Sequence, residues 1–367
     1  MIKLKLLIGG SSSFIFHLKE FSDTLNNLGV ESKLVFDADY YDGFPSRKIK
    51  NWFQTRNKFN KLIDEFKPDA ILIDRQRHFG IGALKANIPL FVLLRGHYWS
   101  ELYWNKRTMY KPLHKRLALW QWDKLGKEIF NGATAILPIC RYLEKITNEY
   151  VPGKPTNVFF EGINASRWHE AKGMTLKHPC VGLLQRSSWW GKTSEMLILK
   201  KVLQKMPNVN FYWAGDGPLR NRVLSELDGN DNFHWLGNLE YPDKVREYLS
   251  EIDVYALVTG MDLAPLSLKE AQLMKKPVVA TNVGGNPEMM VDGKTGFLVE
   301  KGDPNQFVDK LSLLIEDEKL AKKMGGCGRK FVEETFNWEL ITKNFIKIAK
   351  SYLEVKKNKT VKDHQNF

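Results

Sequence analysis

Short apolar runs alternate along the chain with longer stretches whose apolar residues recur every three or four positions. Residues 4–8 open as a strand, and Phe14, Leu18, Phe21, Leu25 and Leu28 then step around one helix face. Further strands are expected at 32–36, 70–73, 90–94, 133–137 and 157–160, with helical stretches between them. Such alternation specifies a parallel sheet covered by helices on both faces. Over 165–178 the pattern lapses into polar sequence containing Gly173. It restarts with strands at 180–184, 209–213, 233–236, 254–258, 277–280 and 296–299. The expectation is two doubly wound α/β domains, 1–170 and 171–337, joined near 170. Trp338, Ile341, Phe345, Ile348 and Tyr352 form one stripe of a final helix, 338–355, and the basic tail 356–367 is expected to be disordered.

Composition narrows the function. The 367 residues, 43% hydrophobic and 26% charged, suit two folded domains. The net charge of +13 is lopsided: residues 1–170 hold 26 Lys and Arg against 17 Asp and Glu, and residues 171–355 hold 25 against 24. A partner facing the first half is therefore expected, rather than a polyelectrolyte wrapped by the whole protein. Cys140, Cys180 and Cys327 are few and scattered, which suggests neither a disulfide framework nor a cysteine metal site and fits a reducing, cytoplasmic setting. No apolar run reaches the roughly 20 residues of a membrane span. Leu6-Leu7-Ile8 is too short for a signal-peptide core, so any membrane is expected to be met from outside.

In open α/β sheets ligands bind beyond the carboxyl ends of the strands, so the loops there are the places to look. Gly9-Gly10-Ser11-Ser12-Ser13 follows the first strand, but a dinucleotide fingerprint would need glycines where Ser11 and Phe14 stand. What remains is a small-residue loop opening onto a helix, equally readable as an ordinary turn. The fourth strand runs into Arg95, Gly96 and His97. In the second half, Arg186 and Lys192 are spaced to converge on one anion such as a diphosphate. A tight turn at Gly215-Asp216-Gly217-Pro218 follows, then carboxylates at Asp262 and Glu270 suited to paired sugar hydroxyls.

Together these residues resemble the family-4 retaining glycosyltransferases of GT-B fold. The resemblance rests on Arg186 with Lys192, the Gly-Asp-Gly-Pro turn, Leu236-Gly237, the Asp262-to-Glu270 segment, residues 276–280, Gly284-Gly285 with Glu288, and residues 292–296. In the first half, Gly9-Gly10, His97 and Glu161-Gly162-Ile163-Asn164 fall where that family has its glycine loop, active-site histidine and hinge segment. The resemblance implies two Rossmann-like domains facing across a cleft, with the C-terminal helix crossing back onto the first. It implies that Arg186 and Lys192 bind the donor diphosphate, work otherwise done by a metal ion, with no cofactor and no metal. Glu270 would accept ribose hydroxyls, and Asp262 would hold the donor sugar. Backbone N–H groups around Ala264, Pro265 and Leu266 would meet phosphate, with Gly9, Gly10 and Gly215 also lining the donor site. Leu239 would lie near the base, and His97 near the reacting carbon. The donor would be a UDP- or GDP-linked sugar, and the acceptor a lipid-linked or other membrane-associated glycan. The family usually has Glu at the place of Asp262, and glycines at those of Leu263 and Pro265. A catalytically silent nucleotide-sugar-binding protein and a GT-B nucleotide-sugar epimerase stand as alternatives.

The basic surplus of the first half gathers around aromatic residues. Arg95, Tyr98, Trp99, Arg107, Lys111, Lys115, Arg116, Trp120 and Trp122 are read as the acceptor and membrane side, with Pro112 near the start of a helix reaching Phe130. Trp120 and Trp122 lie about 200° apart on that helix, so they cannot enter the same core. Trp and Tyr among Lys and Arg suit an anionic membrane surface, and a solvated basic face is the competing reading. Nucleic acid is disfavoured, because no RNA- or DNA-binding motif accompanies the patch.

Overall fold

The computed structural model describes residues 4–11, 15–46, 48–227 and 229–365, with side chains described through Glu354. Phe14 lies outside the described residues, as do the side chains of the expected disordered tail, 356–367. The chain forms two compact units, Met1–Ile163 with Trp338–Phe367 (unit 1) and Asn164–Asn337 (unit 2).

Unit 1 is built on β1 (Lys5–Gly10), β2 (Glu31–Phe36), β3 (Ala70–Asp74), β4 (Leu90–Leu94) and β5 (Ala135–Pro138), in the order β2-β1-β3-β4-β5. Every pairing is parallel. β3, β4 and β5 are buried along their whole length, which is why they read as continuous apolar runs. The strand expected at 157–160 does not form. Asn157 N–H donates to the Ile136 carbonyl at 3.2 Å and Phe159 N–H to that of Pro138 at 2.8 Å, but the pairing reaches only an isolated bridge. Pro138 has no N–H to return the next bond, so the ladder stops there.

The helix Ile15–Asn27 buries Leu18, Phe21 and Leu25, and the final helix, Trp338–Gln365, packs on it. Phe21 and Phe345 meet edge to face at 5.3 Å, and Trp338 Nε1 donates to Glu20 at 2.8 Å. A side chain at Gly162 would strike the Trp338 ring, so that glycine admits the returning helix.

Unit 2 contains β6 (Cys180–Leu184), β7 (Asn210–Ala214), β8 (Phe233–Gly237), β9 (Val254–Leu257), β10 (Val278–Thr281) and β11 (Gly296–Val299), in the order β11-β10-β9-β6-β7-β8. This sheet is also parallel. Its core joins Val181, Leu183, Phe211 and Trp213 to Leu199, Val202, Phe307 and Leu311 of the covering helices. From β6 the chain builds outward to β7 and β8, then returns to lay β9 on the other side. Strand order reverses between β6 and β9, the position at which open sheets leave a crevice beyond their carboxyl ends.

Candidate active site

In unit 2 that crevice is flanked by the loop after β6. Arg186 sits between two anchored residues. Buried Gln185 exchanges hydrogen bonds with Val258, donating at 2.8 Å and accepting at 3.1 Å, and its carbonyl accepts from Trp213 Nε1 at 2.9 Å. Ser187 N–H donates to the Asp216 carbonyl at 3.2 Å, and its own carbonyl accepts from Leu219 N–H at 3.1 Å. The Gly-Asp-Gly-Pro turn makes this possible: a Cβ on Gly215 would lie 2.0 Å from the Gln185 carbonyl, and one on Gly217 would lie 2.4 Å from that of Ser187. The turn is therefore a clamp on the Arg186 loop. Arg186 itself is exposed and makes no side-chain hydrogen bond or ion pair among the described residues.

Lys192, in the short helix Trp190–Thr193, is paired across the crevice with Asp262, Nζ to Oδ2 at 2.5 Å. The backbones approach closely as well: Gly260 N–H donates to the Lys192 carbonyl at 2.9 Å, and a Cβ on Gly260 would lie 2.3 Å from the Gly191 carbonyl. Asp262 is held from its other side by Gly285 N–H, which donates to its carbonyl at 2.9 Å. Gly284 has φ +57°, and its Cβ would be 2.0 Å from that same carbonyl, so a side chain there is excluded on both counts. Thus the bare backbones of Gly260 and Gly284 both serve to bring Lys192 and Asp262 together.

Beyond Asp262 come Ala264 and Pro265, and the helix Leu266–Leu273 begins. Pro265 occupies the cap position without a side-chain acceptor, so the first-turn N–H groups beginning at Leu266 are open to an anion. Glu270 lies in this helix at 3% exposure. Burial pushes its carboxyl up to about 8, against an opposing hydrogen bond from Tyr241 and the charge of Lys269. Its Oε1 has no hydrogen-bond partner among the described residues. Tyr241 follows β8 and carries no signal in the sequence, because nothing in its spacing links it to the helix that begins at Leu266. Gly237 ends β8 and the half-buried Leu239 follows it, next to the Gly215 turn, and the Gly237 carbonyl accepts from Gly215 N–H at 2.7 Å.

In unit 1, Gly9 and Gly10 end β1 and have packing reasons of their own. Side chains there would strike Phe79 and Leu18 at 2.7 and 2.4 Å. His97 caps the helix Tyr98–Arg107, its Nδ1 accepting from Ser100 N–H at 3.3 Å. Burial lowers the pKa of the imidazole, which favours the neutral ring. With Nδ1 accepting, the proton is on Nε2, so His97 offers a donor at that atom.

Two residues grouped with the acceptor side lie in the interior instead. Arg95 is enclosed between Asp74 at 3.4 Å and Glu161 at 2.8 Å, tying the ends of β3 and β4 to the segment after β5. Asp74 is itself raised by burial, with Arg95 opposing. Tyr98 is buried, its hydroxyl donating to the Trp122 carbonyl at 3.1 Å. Trp99 is half-buried and stacks on Tyr150 at 4.5 Å. Arg107, Lys111, Lys115, Arg116, Trp120 and Trp122 are exposed, the last five on or beside the helix Leu113–Gly132.

Among the described residues, one group has a metal-ligand composition: His178, Cys180 and Asp253. It lies at the amino ends of β6 and β9, the opposite edge from the crevice, beside a cavity of about 500 Å3. His178 is clasped between Glu251 and Asp253, each at 2.9 Å, and those hydrogen bonds raise its pKa. An ion-paired staple between neighbouring segments accounts for the group.

The unit that carries the crevice is similar to known proteins. The family model for glycosyl transferases group 1 matches residues 188–317. The N-acetyl-alpha-D-glucosaminyl L-malate synthase of Bacillus anthracis is 34% identical over 148 residues, 40% of this chain and 38% of that protein. The matched segments span from 24% to 44% of the curated relatives' own lengths. A sucrose-phosphate synthase from Thermosynechococcus elongatus superposes with TM-score 0.72 at 13% identity, covering 96% of this chain and 100% of that one. HepE of Anabaena, in complex with UDP and glucose, superposes with TM-score 0.68 at 16% identity over 95% and 100% of the two chains. The resemblance read from Arg186 to Phe297 is borne out over residues 188–317, which match the model of glycosyl transferases group 1, and the two parallel-sheet units have the fold seen in GT-B glycosyltransferase structures.

Proposed function

We propose that the protein is a retaining glycosyltransferase that moves a sugar from a nucleoside-diphosphate donor to a glycan acceptor, lipid-linked or otherwise membrane-associated. The observation that carries this reading is the switch-point crevice of unit 2, where Lys192 is paired with Asp262 and the loop after β6 carries Arg186, exposed and without a side-chain partner among the described residues. An incoming diphosphate offers Lys192 a stronger anion than one carboxylate. Lys192 then turns to phosphate together with Arg186, and Asp262 is freed to accept sugar hydroxyls. The resting ion pair thus keeps both groups charged and placed until the donor exchanges one partner for the other.

Glu270 supports a ribose site by the same logic. Its Oε1 is buried without a donor, and two ribose hydroxyls supply donors to a carboxylate. Ligands that favour the charged form lower its pKa, so nucleotide binding releases a proton and tightens as pH rises towards about 8. In the reaction the bond from the anomeric carbon to the diphosphate oxygen breaks, and an acceptor hydroxyl oxygen bonds to that carbon on the same face. The acceptor proton leaves with the diphosphate. Arg186 and Lys192 stabilise the charge on the departing diphosphate without a metal ion.

The donor is UDP- or GDP-linked. HepE was crystallised with UDP, and a relative from Corynebacterium glutamicum is described as GDP-mannose-dependent. The test is thermal unfolding with UDP, GDP and their sugars, followed by assays for nucleoside-diphosphate release with and without acceptor glycans. Acceptor-dependent release is expected. Binding without turnover, or conversion of the nucleotide sugar without acceptor, would replace this reading.

A further inference from the structure

The helix Leu113–Gly132 is amphipathic on the wrong side for a core. Its inner face buries Leu119, Leu125, Ile129 and Phe130. Leu113, Leu117 and Trp120 fall within an arc of about 60° on the opposite side. They are 82%, 55% and 58% exposed. Every residue from 111 to 117 is exposed, so the first turn stands clear of its own unit.

Cations surround this apolar stripe. Residues 103–127 contain seven Lys and Arg and one acidic residue, Asp123. Lys124 Nζ lies 5.6 Å from the Trp120 ring, and Arg107 lies 3.4 Å over Tyr103. The same unit exposes Ile49 and Phe53 in a segment with Lys48 and Lys50. A second copy of the chain is a poor occupant. Two like-charged patches would repel, and three such side chains cover at most about 500 Å2 per partner, against roughly 800 Å2 in a standard interface. An anionic lipid surface satisfies both features at once: acyl chains take the apolar stripe, and headgroup phosphates take the Lys and Arg. No described helix is long and apolar enough to cross a membrane, so the contact is one of lying on the surface.

We infer that the first two turns of the helix Leu113–Gly132 dock in the headgroup layer of an anionic membrane, with Leu113, Leu117 and Trp120 inserted below the phosphates. This deepens, and for its purpose rests on, the reading of a membrane-associated acceptor. The test is flotation of the full chain with phosphatidylcholine vesicles, with and without phosphatidylglycerol. Partition at least about tenfold stronger to the anionic vesicles is expected. The double variant Leu117→Glu with Trp120→Glu should lose that preference, while Leu313→Glu in unit 2 should keep it; circular dichroism checks that each variant folds. Equal partition to both vesicles, no binding, or full binding by the folded double variant would overturn the inference. So would a dimer, seen by sedimentation, that the double variant dissolves while vesicles go unbound. Vesicle binding without any nucleotide-sugar turnover would support the surface and remove the proposed function instead.

Discussion

The two units share one architecture and use it differently. Both are parallel sheets whose strand order reverses once, yet their charged groups are committed in opposite ways. In unit 2 the crevice charges are few and lightly committed: Lys192 with Asp262, and Arg186 with no partner among the described residues. At the corresponding edge of unit 1, Arg95 is locked between Asp74 and Glu161, and Arg75 is paired with Glu101. The surfaces differ as well. Unit 1 exposes Leu113 at 82%, whereas the most exposed large apolar side chain described in unit 2 is Tyr241, at 42%. A fold of this kind can therefore leave charges uncommitted at one sheet edge while its twin spends similar residues on rigidity and turns its apolar surplus outward.

The largest test of this contrast is at the unpartnered cation. Arg186→Ala and Lys192→Ala should each lower nucleoside-diphosphate affinity by roughly 10- to 100-fold, from charged hydrogen bonds worth about 1.5–3 kcal/mol. Nucleoside affinity should change little. Equal losses by calorimetry would remove the diphosphate from this crevice.

Next in size is the backbone clamp. Gly215→Ala places a Cβ against the Gln185 carbonyl, and Gly284→Ala adds left-handed strain to a clash with the Asp262 carbonyl. Each should destabilise unit 2 by about 2–4 kcal/mol, read as a fall in denaturation midpoint. Unchanged midpoints would mean that these loops are not held as described.

A third test follows from Glu270. Its folded pKa, about 8, lies above the ordinary carboxyl value of 4.5. Between those values the native state binds more protons than the unfolded state, so this group's contribution to stability falls as pH rises through that window. Melting of the ligand-free wild type should therefore decline from about pH 5 to about pH 8.5 more steeply than that of Glu270→Gln. In calorimetry, proton release on nucleotide binding should disappear in the same variant. Parallel melting profiles would show a carboxyl that is not perturbed.

The smallest expected effect is at the exposed stripe of unit 1. Leu117→Glu should change stability by no more than about 0.5 kcal/mol, because the side chain has no core to leave. A large loss in urea unfolding would mean that the stripe is packed in solution.

Much of the fold is legible in the order of residues alone. Runs such as Phe91-Val92-Leu93-Leu94, short and bounded by turn residues, read as strands buried on both faces, and their regular alternation with helices points to two parallel sheets. The strands expected at 90–94 and 180–184 coincide with β4 and β6, while 133–137 meets β5 only over 135–137. The exception at 157–160 depends on Pro138, whose missing N–H matters only once that residue is known to be the pairing partner. Arg186, Lys192, Asp262 and Glu270 can be nominated because they fall in the loops and helix starts that follow apolar strands, at a sheet's carboxyl edge, with the spacing of the family they resemble. Tyr241 cannot, since its bond to Glu270 exists only through the packing of β8 beside the later helix.

Sequence by itself determined the strand and helix succession, the separation into a basic half and a nearly neutral one, and the candidate residues for a nucleotide-sugar site. These follow from local periodicity and composition, which need no partner residue. Tertiary structure alone decided which charges are committed. Arg95 and Lys192 are both cations in the chain that leaves a buried strand, Arg95 next to β4 and Lys192 in the short helix after β6. One is enclosed by two carboxylates, and the other shares a single one at the point where strand order reverses. Tertiary structure also decided that Leu113, Leu117 and Trp120 face away from the core, since an apolar stripe at helical spacing looks the same whether it is covered or exposed. Periodicity places side chains on a face. Only the packing of neighbours determines where that face points.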